Sequence, residues 1–214
     1  MPTSAPVLRL YYLPGSAAMA PHATLAASGL AYELVRVRRD GAEVEPAGYL
    51  ELNPHGKVPT LVHGDFVLTE STAISAYVAA LAPESGIGPE RTPEGHARFH
   101  EWLAYLSTGL EAPLRRRMGA ARMTTAADAD GVAEAAAIAA DAAFAWIGAQ
   151  LADRPYLLGE RLTAVDFHLM MYIRWGRRLD PPVWDRAPFD DYFRRVAEHP
   201  GAARMLAEQE LVAS

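Results

Sequence analysis

The chain has 214 residues, with 26 acidic against 20 basic side chains for a formal net charge of -6; 50% of residues are hydrophobic and 21% charged. That balance is ordinary for a globular protein with a sizeable core, and it argues against a disordered chain or a nucleic-acid-binding surface. Cysteine is absent, which removes protein disulfides, a thiolate nucleophile, Cys-ligated zinc and any Cys-X-X-Cys couple, so thiol chemistry must use a ligand's sulfur.

In chain order, Met1–Pro6 lacks the basic flank and apolar core of a secretory signal, and no apolar run approaches the roughly 20 residues needed to span a bilayer. A cytoplasmic protein with no membrane segment is expected. Val7–Leu13 reads as a strand, residues 19–29 as an Ala-rich helix stopped by Gly29, Tyr32–Val37 as a second strand, and residues 46–52 as a short helix. In Asn53-Pro-His-Gly-Lys-Val-Pro-Thr60, Pro54 and Gly56 mark a turn that feeds a strand over 60–63. His63-Gly64-Asp65 turns this into a strand over 66–68, and Glu70-Ser71 opens a helix running through Ala82. Strand, helix, strand, helix, hairpin and helix is a thioredoxin-like α/β order.

Residues 83–93, Pro-Glu-Ser-Gly-Ile-Gly-Pro-Glu-Arg-Thr-Pro, read as a linker. The expected division is a domain over 1–82, this linker, and an all-helical domain over 94–214. Helices are predicted near 94–119, 126–151, 163–176, 188–198 and 200–210. Thr163-Ala-Val-Asp166 has the spacing of a capping box, with Leu162 and Phe167 as its hydrophobic staple, so Asp166 is assigned to folding. His96 and His100 stand at i and i+4, but with no third ligand evident no metal site is assigned. Arg115-Arg-Arg117 reads as a solvated helix end, with an acidic co-substrate or subunit partner as the second reading, and His22 as a helix-packing residue, with orientation of the loop before it as the second.

Two features of Asn53–Ile74 outline a binding site for a peptide thiol. A cis Val58-Pro59 peptide would leave the backbone N–H and C=O of Val58 at a strand edge, free to pair with an extended peptide. The helix opening at Glu70-Ser71 offers unpaired N–H groups and a positive dipole end to a carboxylate.

This arrangement resembles the glutathione-binding half of glutathione S-transferases. Leu10-Tyr-Tyr-Leu-Pro-Gly-Ser16, Met19-Ala-Pro-His22 and Ala27-Ser-Gly-Leu-Ala-Tyr-Glu-Leu34 are similar to the first strand, first helix and second strand of bacterial, beta-like members. Tyr156-Leu-Leu-Gly-Glu-Arg-Leu-Thr-Ala-Val-Asp166 resembles the family's signature in the helical domain. The resemblance implies a thioredoxin-like N-terminal domain followed by a helical bundle, glutathione as co-substrate with no metal, and a cytoplasmic homodimer. It further implies that Val58, after which Pro59 turns the chain, pairs with the cysteinyl backbone of glutathione. Glu70 and Ser71 would hold the γ-glutamyl end and Lys57 would meet the glycyl carboxylate.

The chain departs from beta-class relatives in two places. Their cysteine near the first helix is matched by Ala17, which puts mixed-disulfide chemistry in doubt, and Glu111 stands where they offer a glutathione-contacting histidine. Tyr12 and Ser16 are the hydroxyls in the family's catalytic neighbourhood. Tyr12 reads equally as a strand-end aromatic and Ser16 as an N-cap, and backbone donors with the helix dipole are a third source of activation. A thiol titrates near 8.5, so lowering its pKa by about two units takes only about 2.7 kcal/mol, within reach of one or two hydrogen bonds at a helix N-terminus. Leu13 and Met19 from the loop, with Tyr105 and Thr108 from the long helix, are expected to line an apolar acceptor pocket. The resulting expectation is conjugation of glutathione thiolate to hydrophobic electrophiles. Glutathione-dependent peroxide reduction, dehalogenation or isomerisation on the same site are the alternatives, beside a non-catalytic binding protein.

Overall fold

A computed structural model of the protein describes residues 7–40 and 43–211, so Met1–Pro6 lies outside it. Its elements begin with β1 (Leu8–Tyr12), α1 (Met19–Ser28), β2 (Tyr32–Arg36), β3 (Arg38–Asp40), β4 (Glu43–Glu45) and α2 (Tyr49–Leu52). There follow β5 (Thr60–His63), β6 (Phe66–Thr69) and α3 (Ser71–Leu81). One mixed sheet runs β2-β1-β5-β6, parallel between β1 and β2 and antiparallel elsewhere. A parallel pair needs a crossover, which α1 supplies. Gly29 ends α1 with φ 75°, a left-handed turn that glycine makes without a Cβ penalty.

The central strand β1 contributes buried side chains to both faces, with Arg9 exposed. Leu8 and Leu10 join Leu25, Leu61, Ile74 and Val78 in a core formed with α1 and α3. Tyr11 packs with Val37 and Tyr49 in a second cluster formed with α2. Each fully buried aliphatic side chain stabilises the fold by about 1.5–3 kcal/mol. The β3–β4 hairpin is absent from the sequence expectation because two three-residue strands carry no measurable apolar alternation.

Among the described residues, the remaining helices are α4 (Pro93–Tyr105), α5 (Ala112–Gly119), α6 (Ala129–Gln150), α7 (Ala164–Trp175), α8 (Phe189–Ala197) and α9 (Pro200–Glu208). Thr92 caps α4 by accepting from the Gly95 N–H at 3.0 Å. The single helix predicted over 94–119 is interrupted by a π-helical segment, Leu106–Glu111. Its position follows from Pro113, which has no N–H to donate to the preceding turn. All twelve residues of α7 are buried. Helix α6 and the turn before it, Ala126–Gln150, are long and apolar enough by length and composition to cross a membrane, a correction to the sequence reading. That helix packs against α5 and buries Ala136, Ala140, Ala143, Phe144 and Ile147, and its Asp141 pairs with Arg186 at 2.6 Å. The core helix of a globular unit meets the same criterion.

The contacts divide the chain into two compact units. One comprises the described residues up to Gly88 together with those from Ala197 onward, the other Pro89–Val196. This differs from a division at the linker, because α9 packs on α1. A Cβ on Gly201 would stand 2.6 Å from the Ala27 Cβ and 2.8 Å from the Ala23 carbonyl oxygen. Glycine therefore allows the close approach, a pairing that helical periodicity alone does not encode.

Candidate active site

Strand register brings three separated segments to one end of the sheet. Tyr11 pairs with Thr60 across β1 and β5, and Thr60 pairs with Thr69 across β5 and β6. Tyr12, Pro59 and Glu70 each stand one residue beyond those pairs. The loop after β1, the Val58-Pro59 turn and the N-terminus of α3 are thus neighbours, although nearly 60 residues separate the first from the last.

The Val58-Pro59 peptide is cis. Val58 packs its half-buried side chain on the Tyr11–Val37–Tyr49 cluster, and among the described residues its backbone N–H and C=O have no partner. The preceding turn is held from beneath. Asn53, almost fully buried, donates through Nδ2 to the Lys57 carbonyl at 2.8 Å and to Thr60 Oγ1 at 3.1 Å, and accepts from the His55 N–H at 3.1 Å. The Tyr49 hydroxyl donates to the same Lys57 carbonyl and lies 2.9 Å from Thr60 Oγ1. Burial raises the pKa of Tyr49, so this hydroxyl remains a donor. The Lys57 side chain is exposed. Asn53 was legible only as a turn residue, and Tyr49 carried no sequence signal for this role.

Glu70 adopts φ 69° and ψ 116°, a left-handed backbone costing a non-glycine residue about 1–3 kcal/mol. Its carbonyl accepts from Ile74 at 2.9 Å and its carboxylate is exposed. Helix geometry leaves the first N–H groups of α3 without intrahelical partners. The Ser71 hydroxyl sits in this opening, 7% exposed as a residue and without a partner among the described residues.

Loop 12–19 is less available than its sequence implies. The Ser16 hydroxyl donates to the Leu13 carbonyl at 2.7 Å and accepts from the Ala18 N–H at 3.2 Å, which closes the loop locally. Its proton must leave that carbonyl to reach a ligand. Tyr12 is half-buried, its ring centroid 6.2 Å from that of His22. Ala17, where beta-class relatives carry cysteine, is 7% exposed, and its N–H is unpaired among the described residues.

His22 is fully buried in α1 and hydrogen bonds to Glu208 Oε2 through Nε2 at 2.7 Å and to Gln209 Nε2 through Nδ1 at 3.0 Å. Burial holds its pKa below the ordinary imidazole value despite Glu208. Burial would raise Glu208, but donors Arg204, His22 and Tyr32 outweigh it and hold that carboxyl below its usual range. Nothing near His22 in sequence points to these C-terminal partners.

The expected acceptor-pocket residues divide. Leu13 is 36% exposed, whereas Met19 is fully buried and does not face an open cavity. Within the helical unit, Tyr105 packs its ring at a tilt against Trp146, centroids 4.5 Å apart, and lines a concavity of about 860 Å³ with Trp102, while the exposed Thr108 donates its hydroxyl to the Ala104 carbonyl at 2.9 Å. Glu111 accepts from the Tyr172 hydroxyl at 2.6 Å, a tie within the helices. His96 and His100 are exposed, and no group of three or more His, Cys, Asp or Glu side chains suited to a metal is found among the described residues.

The mixed four-stranded sheet with its helices defines a thioredoxin-like unit, and the second unit is helical. The glutathione S-transferase N-terminal domain family matches residues 6–80 and the C-terminal domain family residues 116–200. Glutathione S-transferase GST-4.5 of Xanthomonas campestris is 30% identical over 190 residues, covering 88% of this chain and 92% of that protein. A ternary complex of BphK, a bacterial GST, superposes with a TM-score of 0.85 at 27% identity, covering 95% of this chain and all of the other. A sphingomonad glutathione S-transferase complexed with glutathione superposes with a TM-score of 0.82 at 26% identity, again over 95% of this chain and 100% of that one. The chain belongs to the glutathione S-transferase family.

Proposed function

We infer that this enzyme conjugates the glutathione thiolate to hydrophobic electrophiles, binding the tripeptide at the sheet end where Tyr12, Pro59 and Glu70 converge. The observation that carries the reading is the pairing of an unpartnered Val58 backbone with the open N-terminus of α3 in adjacent strands. Antiparallel pairing to Val58 suits the cysteinyl residue of an extended peptide. The N–H groups of α3 and the Ser71 hydroxyl suit the γ-glutamyl carboxylate, and the Glu70 carboxylate its ammonium. Lys57, exposed at the turn, meets the glycyl carboxylate.

The thiol then faces loop 12–19. Its proton is lost to solvent, and the thiolate is held by donors at the start of α1: the Ala17 N–H, Ser16 once its hydroxyl turns from Leu13, or Tyr12. Leu13, exposed in this loop, contributes to the acceptor side. A homodimer in the cytoplasm is part of the same reading and rests on family membership.

Calorimetry with glutathione followed by a chlorodinitrobenzene conjugation assay tests it. Saturable binding and thiolate-dependent conjugation are expected, with binding weakened in Ser71→Ala. Conjugation by a chain that binds no glutathione would refute the site. Thiolate absorbance of bound glutathione in Ser16→Ala and Tyr12→Phe identifies the activating hydroxyl. If neither raises the bound thiol's pKa, the backbone N–H groups and helix dipole perform the activation.

A further inference from the structure

The Gln209 side chain ties the thiol-handling loop to the C-terminal end of α9. Gln209, 2% exposed, accepts from the Gly15 N–H through Oε1 at 3.0 Å, and its Nε2 lies 3.0 Å from His22 Nδ1. These contacts fix the chemistry of both partners. A backbone N–H can only donate, so the amide oxygen must face Gly15 and the amide NH₂ must face His22. His22 Nδ1 must then accept, which leaves the proton on Nε2, where it donates to Glu208 Oε2 at 2.7 Å. Glu208 is itself held by Arg204 at 2.8 Å and by the Tyr32 hydroxyl at 3.0 Å.

We propose that Gln209 is a positioning residue for conjugation: it holds loop 12–19 in register with the peptide-binding segments through Gly15, and does so only while His22 is neutral. A protonated His22 would set Nδ1–H against the amide NH₂, donor against donor. The amide could satisfy that histidine only by turning its oxygen from Gly15. The ionisable groups around His22 are Glu208 and Arg204 on α9, Tyr32 on β2 and Tyr12 at the end of β1; α3 meets α1 through the uncharged Ser75–Thr24 contact.

This inference rests on the glutathione reading, and its test separates the two. S-methylglutathione has no thiol and reports on Lys57, Val58, Glu70 and Ser71; bound-thiolate absorbance and kcat with chlorodinitrobenzene report on the loop. In Gln209→Met, which keeps length and removes both hydrogen bonds, the S-methylglutathione Kd should stay within about twofold of native. Its kcat at pH 7 should fall about tenfold, the effect of losing one buried hydrogen bond's positioning, and the midpoint for bound thiolate should rise. Gln209→Glu keeps an acceptor for Gly15 but needs a protonated His22 opposite it, so its kcat relative to native should be higher at pH 6 than at pH 8. Unchanged kcat and thiolate midpoint in Gln209→Met would overturn the proposal. So would a proportional fall in kcat and S-methylglutathione affinity, or a Gln209→Glu variant whose pH profile parallels the native one. A native chain that binds no S-methylglutathione overturns the glutathione reading itself, and this inference with it.

Discussion

Replacing Asp166 with alanine should destabilise the protein far beyond the loss of a helix cap. The capping box at the start of α7 is present, and losing such a cap costs about 0.5–2 kcal/mol. The fully buried carboxylate also serves as a junction. Oδ1 accepts from the Leu157 N–H at 2.9 Å and from the Tyr192 hydroxyl at 2.7 Å, while Oδ2 accepts from the Thr163 N–H at 2.7 Å and its hydroxyl at 3.1 Å. In Asp166→Ala the Thr163 hydroxyl can rotate to another acceptor, but two N–H groups and the Tyr192 hydroxyl remain buried without one. Each such group costs about 1–3 kcal/mol, and relaxation makes the sum less than additive, so about 4 kcal/mol is expected. At about 2–4 °C per kcal/mol for a chain of this size, the melting temperature should fall by about 8–16 °C. Circular dichroism melts of native, Asp166→Ala, Tyr192→Phe and the double variant measure this and the Asp166–Tyr192 coupling. Among the described residues Asp166 touches none of the groups assigned to glutathione, so the glutathione Kd at 20 °C should remain within about twofold. A melting temperature within about 3 °C of native, or additive single variants, would refute the junction.

Acid should destabilise the fold through its buried histidines. Burial pushes His168 down to about 3 and lowers His22 as well, so the folded chain takes up protons on them less readily than the unfolded chain, where histidine titrates near 6.5. Their contribution is therefore complete above about pH 6.5 and is lost as pH falls below it, at up to about 1.36 kcal/mol per unit for each. Melting temperature should decline between pH 6.5 and 4.5, and an undiminished decline in His168→Gln would contradict this assignment. Tyr49→Phe removes the hydroxyl beneath the Lys57 carbonyl and should raise the glutathione Kd about three- to tenfold by calorimetry, equivalent to one hydrogen bond; an unchanged Kd would mean Asn53 suffices. Gly201→Ala should cost about 1–3 kcal/mol from overpacking against Ala23 and Ala27, seen as a lower melting temperature. A neutral result would mean that α9 shifts away at no cost.

The division between what was legible in the chain and what was not follows from range. The αL stop at Gly29, the Val58-Pro59 turn, the helix opening after Glu70 and the Thr163–Asp166 cap are written in residues a few positions apart, and all are found. Short polar strands such as β3 and β4 fall below the reach of periodicity, and the π segment at Leu106–Glu111 depends on a missing donor at Pro113. The two further donors on Asp166, from Leu157 and Tyr192, are invisible because the fold brings them there.

By itself the sequence determined a cysteine-free thioredoxin-like unit with a Val58-Pro59 turn, an α3 opening and a capped helix in a helical second part, since each depends on local backbone chemistry. Tertiary structure alone decided that Tyr12, Pro59 and Glu70 share one sheet end, that α9 returns to α1 through Gly201, and that Gly15 is anchored by a glutamine 194 residues away. A hydrogen bond across that separation has no local signature, because neither Gly15 nor Gln209 differs from an ordinary loop glycine or helix-end glutamine until the chain has folded.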